Sequence, residues 1–203
     1  REHKLNRLWK TICLLNFRCS KKKSETWKAR RFILNKKLYY ILMKNVYLKK
    51  SKVAGKGVFA KRDFQKNEII FNVRGRKIKS TYGPNKNQSY KKYLAIGPNW
   101  LSIGQDAWIS PYSQNPWRYI NHSCKPNSGL KNNATVVAMK NIKKDEEVTI
   151  DYSITEDDPE WTMKCECGSK QCRKIIKSIR FLPKKIFKKY EQFIPEFLKK
   201  SYF

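Results

Sequence analysis

Short runs of β-branched and aromatic residues fill the middle of the chain, between Val46 and Tyr152. They are KVAGKGVFA, EIIFNV, YLAI, WLSI, ATVVAM and EVTIDY, and turn segments such as YGPNKNQS and IGPNW separate them. Runs of this length and composition are typical of β-strands. No long helical periodicity lies between them, which argues against alternating βαβ units. We therefore predict a mainly β fold with some α-helix.

Both ends of the chain show helical spacing instead. Near the N-terminus, the apolar positions at helical intervals are Leu5, Leu8, Trp9, Ile12 and Leu15. After Cys172, a second apolar stripe consists of Ile186, Phe187, Tyr190, Phe193, Ile194, Phe197 and Leu198. Pro195 must kink or restart this second helix. We interpret the C-terminal stripe as a helical tail that packs on the core.

These patterns divide the chain into four segments. Residues 1–42 are basic and contain neither Gly nor Pro, and Met43 then opens MKNVYLKKSKVAGKGVFA like a natural domain start. We expect residues 1–42 to be a dispensable basic leader or arm, helical or disordered. The β-rich domain spans 43–153, a cysteine-rich segment spans 154–175, and the helical tail spans 176–203.

The chain is strongly basic, with 46 Lys and Arg against 16 Asp and Glu and a net charge of +30. Such an excess favours polyanionic partners, and this kind of binding weakens steeply with salt. Abundant Lys, Asn, Ile and Tyr would also follow from an A/T-rich genome without any selection for binding. Nucleic acid is therefore one possible partner through the basic surface, and composition leaves the question open.

No stretch approaches the ~20 apolar residues that a membrane span needs. The short apolar run TICLLNF follows basic residues but lacks a convincing small-residue cleavage site, which argues against secretion. We expect an intracellular protein with no membrane partner. It would be cytoplasmic if the source is microbial, and nuclear or chromosomal if the source is eukaryotic.

Six cysteines are present, and three of them fall within CECGSKQC. Cysteines separated by one residue are poor disulfide partners, and clustered thiols in a reducing compartment more often bind a metal. A tetrahedral structural zinc needs four ligands. Cys165, Cys167 and Cys172 supply three, and the fourth could come from Cys124 or from the N-terminal Cys13 and Cys19.

Three further motifs have ordinary explanations when each is taken alone. RYINHSCKPNS, at residues 118–128, places one of only two histidines beside a cysteine, yet its composition suits a surface loop. AGKGVF encloses Lys56 between two glycines, which a β-bulge would explain. VTIDYS ends a β run on Tyr152, where a half-buried packing tyrosine is common.

Together, GKG, the tyrosine of YLAI, RYINHSCKPN, DYS and CECGSKQC occur in an order that closely resembles the SET-domain protein lysine methyltransferases with a post-SET segment. The resemblance covers about residues 46–174. It implies that 43–153 is a SET domain and 154–175 a post-SET zinc segment. Members of this family have a compact β fold of short strands with a threaded C-terminal segment, which places the NHSC and DY motifs side by side.

The resemblance also implies the roles of individual residues. Tyr152 would be the catalytic tyrosine near the transferred methyl group, and Tyr93 would border both the cofactor and the lysine channel. Contacts with S-adenosylmethionine would come from Gly55, Lys56, Gly57, Tyr93, Arg118, Asn121, His122, Tyr152 and Trp161. Zinc would be held by Cys124, Cys165, Cys167 and Cys172.

The implied activity is methylation of lysine side chains in a protein substrate, either a histone or another basic protein such as a ribosomal or bacterial DNA-packaging protein. Ile150 stands where the family commonly has Phe or Tyr, so we expect multiple methylation. The acidic run EDDPE, residues 156–160, is either a site for a cationic peptide or a solvated loop. The alternative function is a non-catalytic zinc module that binds nucleic acid, which would not need Asn121, His122 and Tyr152 together.

Overall fold

The structure, a computed structural model, describes residues 43–79, 100–104 and 107–202. Residues 1–42, the YLAI run with Tyr93, and the cysteines Cys13 and Cys19 lie outside these ranges. Most of the regular secondary structure in these ranges is strand, with two short α-helices near the C-terminus. The predicted mainly β fold is therefore confirmed. No helix in these ranges is long and apolar enough to cross a membrane.

Twelve short strands occur in the described ranges. They are β1 (Val46–Lys50), β2 (Lys56–Ala60), β3 (Ile69–Asn72), β4 (Gly75–Lys79), β5 (Leu101–Gly104), β6 (Ala107–Pro111), β7 (Asn121–His122), β8 (Ser128–Lys131), β9 (Thr135–Ala138), β10 (Glu147–Ile150), β11 (Thr162–Lys164) and β12 (Ile175–Lys177). They form four small sheets with the orders β1-β2-β10-β7, β3-β9-β8, β4-β6-β5 and β11-β12.

The four-stranded sheet positions the candidate site. Strand β10 pairs antiparallel with β2 on one side and parallel with β7 on the other. In the parallel pair, Thr149 lies opposite Asn121 and Ile150 lies opposite His122. Because β10 is flanked on both sides, it is buried: Val148 and Ile150 are both 0% exposed and belong to the main hydrophobic cluster.

The C-terminal tail is helical but interrupted. Helix α1 (Lys184–Tyr190) and helix α2 (Glu196–Lys199) each begin directly after a proline, and Pro195 separates them as the sequence predicts. Among the residues of the predicted stripe, Phe193 and Leu198 are at most 2% exposed. The ring of Phe187 stacks on Tyr202 with centroids 3.8 Å apart. The stripe therefore packs against the core, as expected.

Candidate functional site

The turn before β2 is closed by its own backbone. The Ser51 amide donates a hydrogen bond of 2.9 Å to the Gly55 carbonyl, and Gly55 adopts a φ of +47°, a conformation that side chains disfavour. Gly57 needs to be glycine for a different reason. A Cβ atom there would lie 2.2 Å from Oε1 of Glu147. Lys56, between the two glycines, is exposed.

Asn121 reaches from β7 across β10 towards this turn. Its Nδ2 atom donates to Oε1 of Glu147 at 2.8 Å and to the Ala54 carbonyl at 3.1 Å, with a longer contact of 3.4 Å to the Lys56 carbonyl. The sequence reasoning missed Glu147. In the sequence, only the position of Glu147, two residues before TIDY in KDEEVTIDY, sets it apart. An acidic residue on a strand is normally interpreted as a charge that faces solvent.

His122 and Tyr152 meet at the end of the β7–β10 pair. The Tyr152 amide donates to Nδ1 of His122 at 3.1 Å, and the two rings lie edge to face with centroids 5.4 Å apart. Nε2 of His122 lies 3.3 Å from Sγ of Cys124. Burial, together with the positive charge of Arg173, lowers the pKa of His122 to about 3. His122 is therefore neutral at physiological pH, with Nδ1 as the hydrogen-bond acceptor.

The Tyr152 hydroxyl group donates a hydrogen bond of 2.7 Å to the Ile120 carbonyl. Burial raises the pKa of Tyr152 to about 12, so the phenol stays protonated across the neutral range. At this site Tyr152 can therefore donate and accept hydrogen bonds, but it does not serve as a base.

A buried ion pair joins the residue before Tyr152 to the cysteine-rich segment. Asp151 is 0% exposed, and its Oδ1 lies 2.5 Å from Nη2 of Arg173. Burial raises the pKa of Asp151 even though the Arg173 guanidinium opposes that shift. The Arg173 amide in turn donates to Sγ of Cys124 at 3.3 Å. Arg173 thus connects the end of β10, through Asp151, with the thiol of Cys124.

Thiols from distant parts of the chain converge beside His122. The ligand atoms of His122, Cys124, Cys165 and Cys167 all lie within 4.8 Å of one another. The Sγ atoms of Cys124 and Cys165 are 3.8 Å apart, and two thiolates bound to one tetrahedral zinc would be separated by about 3.8 Å. The three thiols of this group suit a structural zinc ion, which needs one further ligand. Cys172 lies beside the group, with its Sγ 3.4 Å from the Cys165 carbonyl.

The thiols differ in their titration. Burial raises the pKa of Cys165. For Cys167, burial acts in the same direction, but amide donors from Cys124 and Ser169 and the neighbouring thiols outweigh it and lower the pKa to about 7. A metal ion binds thiolates, so Cys167 loses its proton to become a ligand more readily than Cys165 does.

The remaining predicted residues are placed as follows. Arg118 is half-buried in the short 3₁₀ helix Pro116–Tyr119, directly before β7. Trp161 is half-buried and packs against the cluster of Cys124, Cys165 and Ile176. Tyr93 lies outside the described residues, so its role stays a prediction.

Glu156 begins the acidic run and is largely enclosed. Its Oε1 accepts hydrogen bonds from the amides of Asp157 and Asp158 at 3.0 and 3.1 Å. Burial, with smaller contributions from the charges of Asp157 and Asp158, raises the pKa of Glu156 to about 7. The Ile179 amide and the Arg180 side chain donate to the carbonyls of Glu156 and Asp157 at 2.9 and 2.8 Å. The C-terminal tail thus holds the acidic run in place.

Comparison with protein families matches the SET domain over residues 55–153. The chain is 29% identical over 138 residues to Histone-lysine N-methyltransferase 2D of Homo sapiens, covering 64% of this chain and 2% of that protein. It is 29% identical over 159 residues to Histone-lysine N-methyltransferase trr of Drosophila melanogaster, covering 72% and 6%. It is 28% identical over 143 residues to Histone-lysine N-methyltransferase, H3 lysine-4 specific, of Aspergillus oryzae, covering 66% and 12%. The chain therefore spans only a small part of these relatives.

Proposed function

Because the chain carries a SET domain, and so belongs to the SET-domain family, we propose that it is a protein-lysine N-methyltransferase that depends on S-adenosylmethionine. The observation that carries the proposal is the parallel pairing of β7 with β10, which brings Nδ1 of His122 within 3.1 Å of the Tyr152 amide. Asn121, His122 and Tyr152 are thereby gathered at one end of one sheet. A zinc module that only bound nucleic acid would not need this combination, so it is the weaker alternative.

The cofactor would be held by the glycine turn and by β7. The main chain of Gly55, Lys56 and Gly57 would contact it, together with side chains of Asn121 and His122. Arg118 and Trp161 would border it, and Tyr93 would line both the cofactor site and the lysine channel. When bound, S-adenosylmethionine supplies the activated methyl group.

Tyr152 would orient the substrate amine rather than deprotonate it. Its pKa of about 12 keeps the hydroxyl group protonated, and the lone pair of Nδ1 of His122 is already engaged by the Tyr152 amide. Neither residue is therefore placed to act as a base. The lysine ammonium would lose its proton to water, favoured by desolvation in the channel, and alignment would make the main catalytic contribution.

We assign the zinc ligands to Cys124, Cys165, Cys167 and Cys172. His122 lies close enough to the first three thiols to share a metal ion with them, but its protonation argues against that role. Because Nδ1 accepts from the Tyr152 amide, the proton of the neutral ring must sit on Nε2, the atom that faces Cys124. A metal-bound histidine shows the reverse pattern and donates from its free nitrogen. The nearby thiol of Cys172 is the better fourth ligand.

The substrate would be a lysine in a basic protein. The relatives described above are named for histone lysines, which makes a histone the first candidate and nuclear or chromosomal action the expectation for a eukaryotic source. A ribosomal or bacterial DNA-packaging protein remains the second candidate. Because the enzyme is itself a cation, the acidic run at 156–160 or bound nucleic acid would help it meet such a substrate.

A methyl-transfer assay tests the proposal. The full chain is incubated with isotopically labelled S-adenosylmethionine and either purified histones or whole-cell extract, and the labelled residues are found by mass spectrometry. We expect label on lysine side chains. Since Ile150 offers no hydroxyl group to hold water, we also expect lysines with more than one methyl group. Absence of labelled lysine in both substrates, with cofactor bound, would contradict the assignment as an enzyme.

A further inference from the structure

The Glu147 carboxylate is hydrogen-bonded to Ser51 and Asn121 and packs against Gly57. We call these four residues the Glu147 unit. Oε1 of Glu147 accepts from Nδ2 of Asn121 and from Oγ of Ser51, both at 2.8 Å, and its Oε2 lies 2.9 Å from the same hydroxyl group. Oγ of Ser51 also accepts from the Val53 amide at 2.9 Å. The carboxylate therefore ties the glycine turn to both β7 and β10.

Gly57 leaves the space that this carboxylate occupies. A Cβ atom at Gly57 would lie 2.2 Å from Oε1 and 2.8 Å from Cδ of Glu147, and 3.1 Å from Cβ of Ser51. Separations below 3.0 Å require something to move, and here the carboxylate would have to leave its partners. The second glycine of GKG is thus explained within the protein, by Glu147.

The unit also fixes which way the Asn121 amide faces. All three neighbours of Nδ2 are acceptors: the Glu147 carboxylate at 2.8 Å and the Ala54 and Lys56 carbonyls at 3.1 and 3.4 Å. A flipped amide would set Oδ1 against these oxygens and lose every bond. No described residue donates to Oδ1. Oδ1 is therefore left as an acceptor for a ligand.

The charge of the unit points to the kind of ligand. Although the chain has 46 Lys and Arg, none of the described ones forms an ion pair with Glu147. We propose that Glu147 is a positioning residue that fixes the Asn121 amide with Oδ1 outward, so that it accepts a hydrogen bond from the cationic amino group of the cofactor's amino-acid end. This inference rests on the proposed function, because it takes S-adenosylmethionine as the ligand.

Two ligands that differ only at that end provide the test. S-adenosylhomocysteine carries the amino acid, whereas 5′-methylthioadenosine keeps the nucleoside and the thioether and lacks the amino acid. Calorimetry on the full chain should show that Glu147→Ala weakens binding of S-adenosylhomocysteine about tenfold or more, while binding of 5′-methylthioadenosine changes less than about twofold. Glu147→Gln should fall between, because its carbonyl can still accept from Asn121.

The outcomes are separable. An equal loss for both ligands in Glu147→Ala would mean a general structural role and would overturn the inference alone. If the unmodified chain bound neither ligand, the proposed function itself would fall, and this inference with it. Unchanged binding of S-adenosylhomocysteine would also overturn the inference.

Thermal unfolding tests the role of Gly57 without any ligand. Gly57→Ala should lower Tm, and adding Glu147→Ala should recover part of the loss because the clashing carboxylate is gone. Gly104→Ala is the matched control, since its Cβ would meet only Cβ of Ala107, at 3.8 Å, and should show no coupling to Glu147→Ala. Strictly additive losses for Gly57→Ala and Glu147→Ala would contradict the proposed packing.

Discussion

At the scale of single residues, the Tyr152 hydroxyl group is the contact on which the proposed chemistry depends. Replacing Tyr152 by Phe removes the donor to the Ile120 carbonyl but keeps the ring against His122. We expect turnover to fall by about 10²-fold or more, the usual cost of losing one positioned hydrogen-bonding group. Binding of S-adenosylhomocysteine should remain within a few-fold, as measured by calorimetry.

Tyr47→Phe is the matched control for this change. The Tyr47 hydroxyl group also donates a hydrogen bond of 2.7 Å, to Asp145, but it is exposed. This variant should keep full activity. Full activity in Tyr152→Phe as well would remove Tyr152 from the catalytic role.

Glu156 makes stability depend on pH in a predictable direction. Because its folded-state pKa of about 7 lies above the ordinary value of 4.5, the folded chain keeps a proton that the unfolded chain releases in that interval. Stability from this group is therefore greatest at low pH and is lost as pH rises through 7. Glu156→Gln keeps an oxygen that can accept from Asp157 and Asp158 but carries no charge.

The gain in Tm from Glu156→Gln should consequently be small at pH 5 and larger at pH 8, by on the order of 5 °C. Thermal unfolding followed by circular dichroism at both values measures it. Glu160→Gln, at an exposed position of the same run, should show no such trend. A gain for Glu156→Gln that shrinks with rising pH would contradict the assigned shift.

At the scale of elements, we expect the cysteine-rich segment, together with Cys124, to bind one zinc ion per chain. Metal analysis of the purified protein is expected to give one equivalent, and Cys165→Ser and Cys172→Ser should both lose it. Cys13→Ser and Cys19→Ser serve as controls that retain it. If Cys172→Ser kept its zinc while His122→Ala lost it, the imidazole rather than the fourth thiol would be the ligand.

The local sequence pattern predicted the strands that are rich in apolar residues. It missed strands whose burial depends on residues distant in sequence. Strands β3, β9 and β10 follow directly from EIIFNV, ATVVAM and EVTIDY. Strand β8 reads SGLK, and its first two residues are buried for reasons that are distant in sequence. Ser128 donates to the Thr149 carbonyl at 2.9 Å, and a Cβ at Gly129 would lie 2.6 Å from Cβ of Phe193. No short stretch of sequence contains both members of either pair, Ser128 with Thr149 or Gly129 with Phe193.

At the scale of the whole molecule, the same limit applies to the site. The motif order indicated that the NHSC loop, the DY strand end and the cysteine-rich segment belong together. It could not indicate what holds them, because the Arg173–Asp151 ion pair and the Glu147–Asn121 bond span 22 and 26 residues. Both use charged side chains, which in isolation predict exposure. Only the fold shows that Asp151 is completely buried.

At this scale, positive charge is also concentrated on parts of the surface, most clearly on helix α1. Lys184, Lys185, Lys188 and Lys189 are all exposed, and none forms an ion pair with a described residue. Residues four apart on a helix are neighbours, so these lysines form two adjacent pairs opposite the buried Phe187. If nucleic acid is a partner, as the basic composition allows, we expect this face to contact the phosphate backbone of duplex DNA.

Fluorescence anisotropy with a labelled duplex, repeated across salt concentrations, measures this contribution. Changing the four α1 lysines to Gln should weaken binding and reduce the slope of log K against log salt by as much as about 3.6, if each lysine contacts one phosphate. The matched control changes four exposed lysines elsewhere to Gln, namely Lys66, Lys144, Lys170 and Lys174. Both variants lose the same net charge, so only a specific docking face makes the α1 variant weaker. Equal losses would mean that binding follows total charge, as composition alone would produce, and that α1 is no special surface.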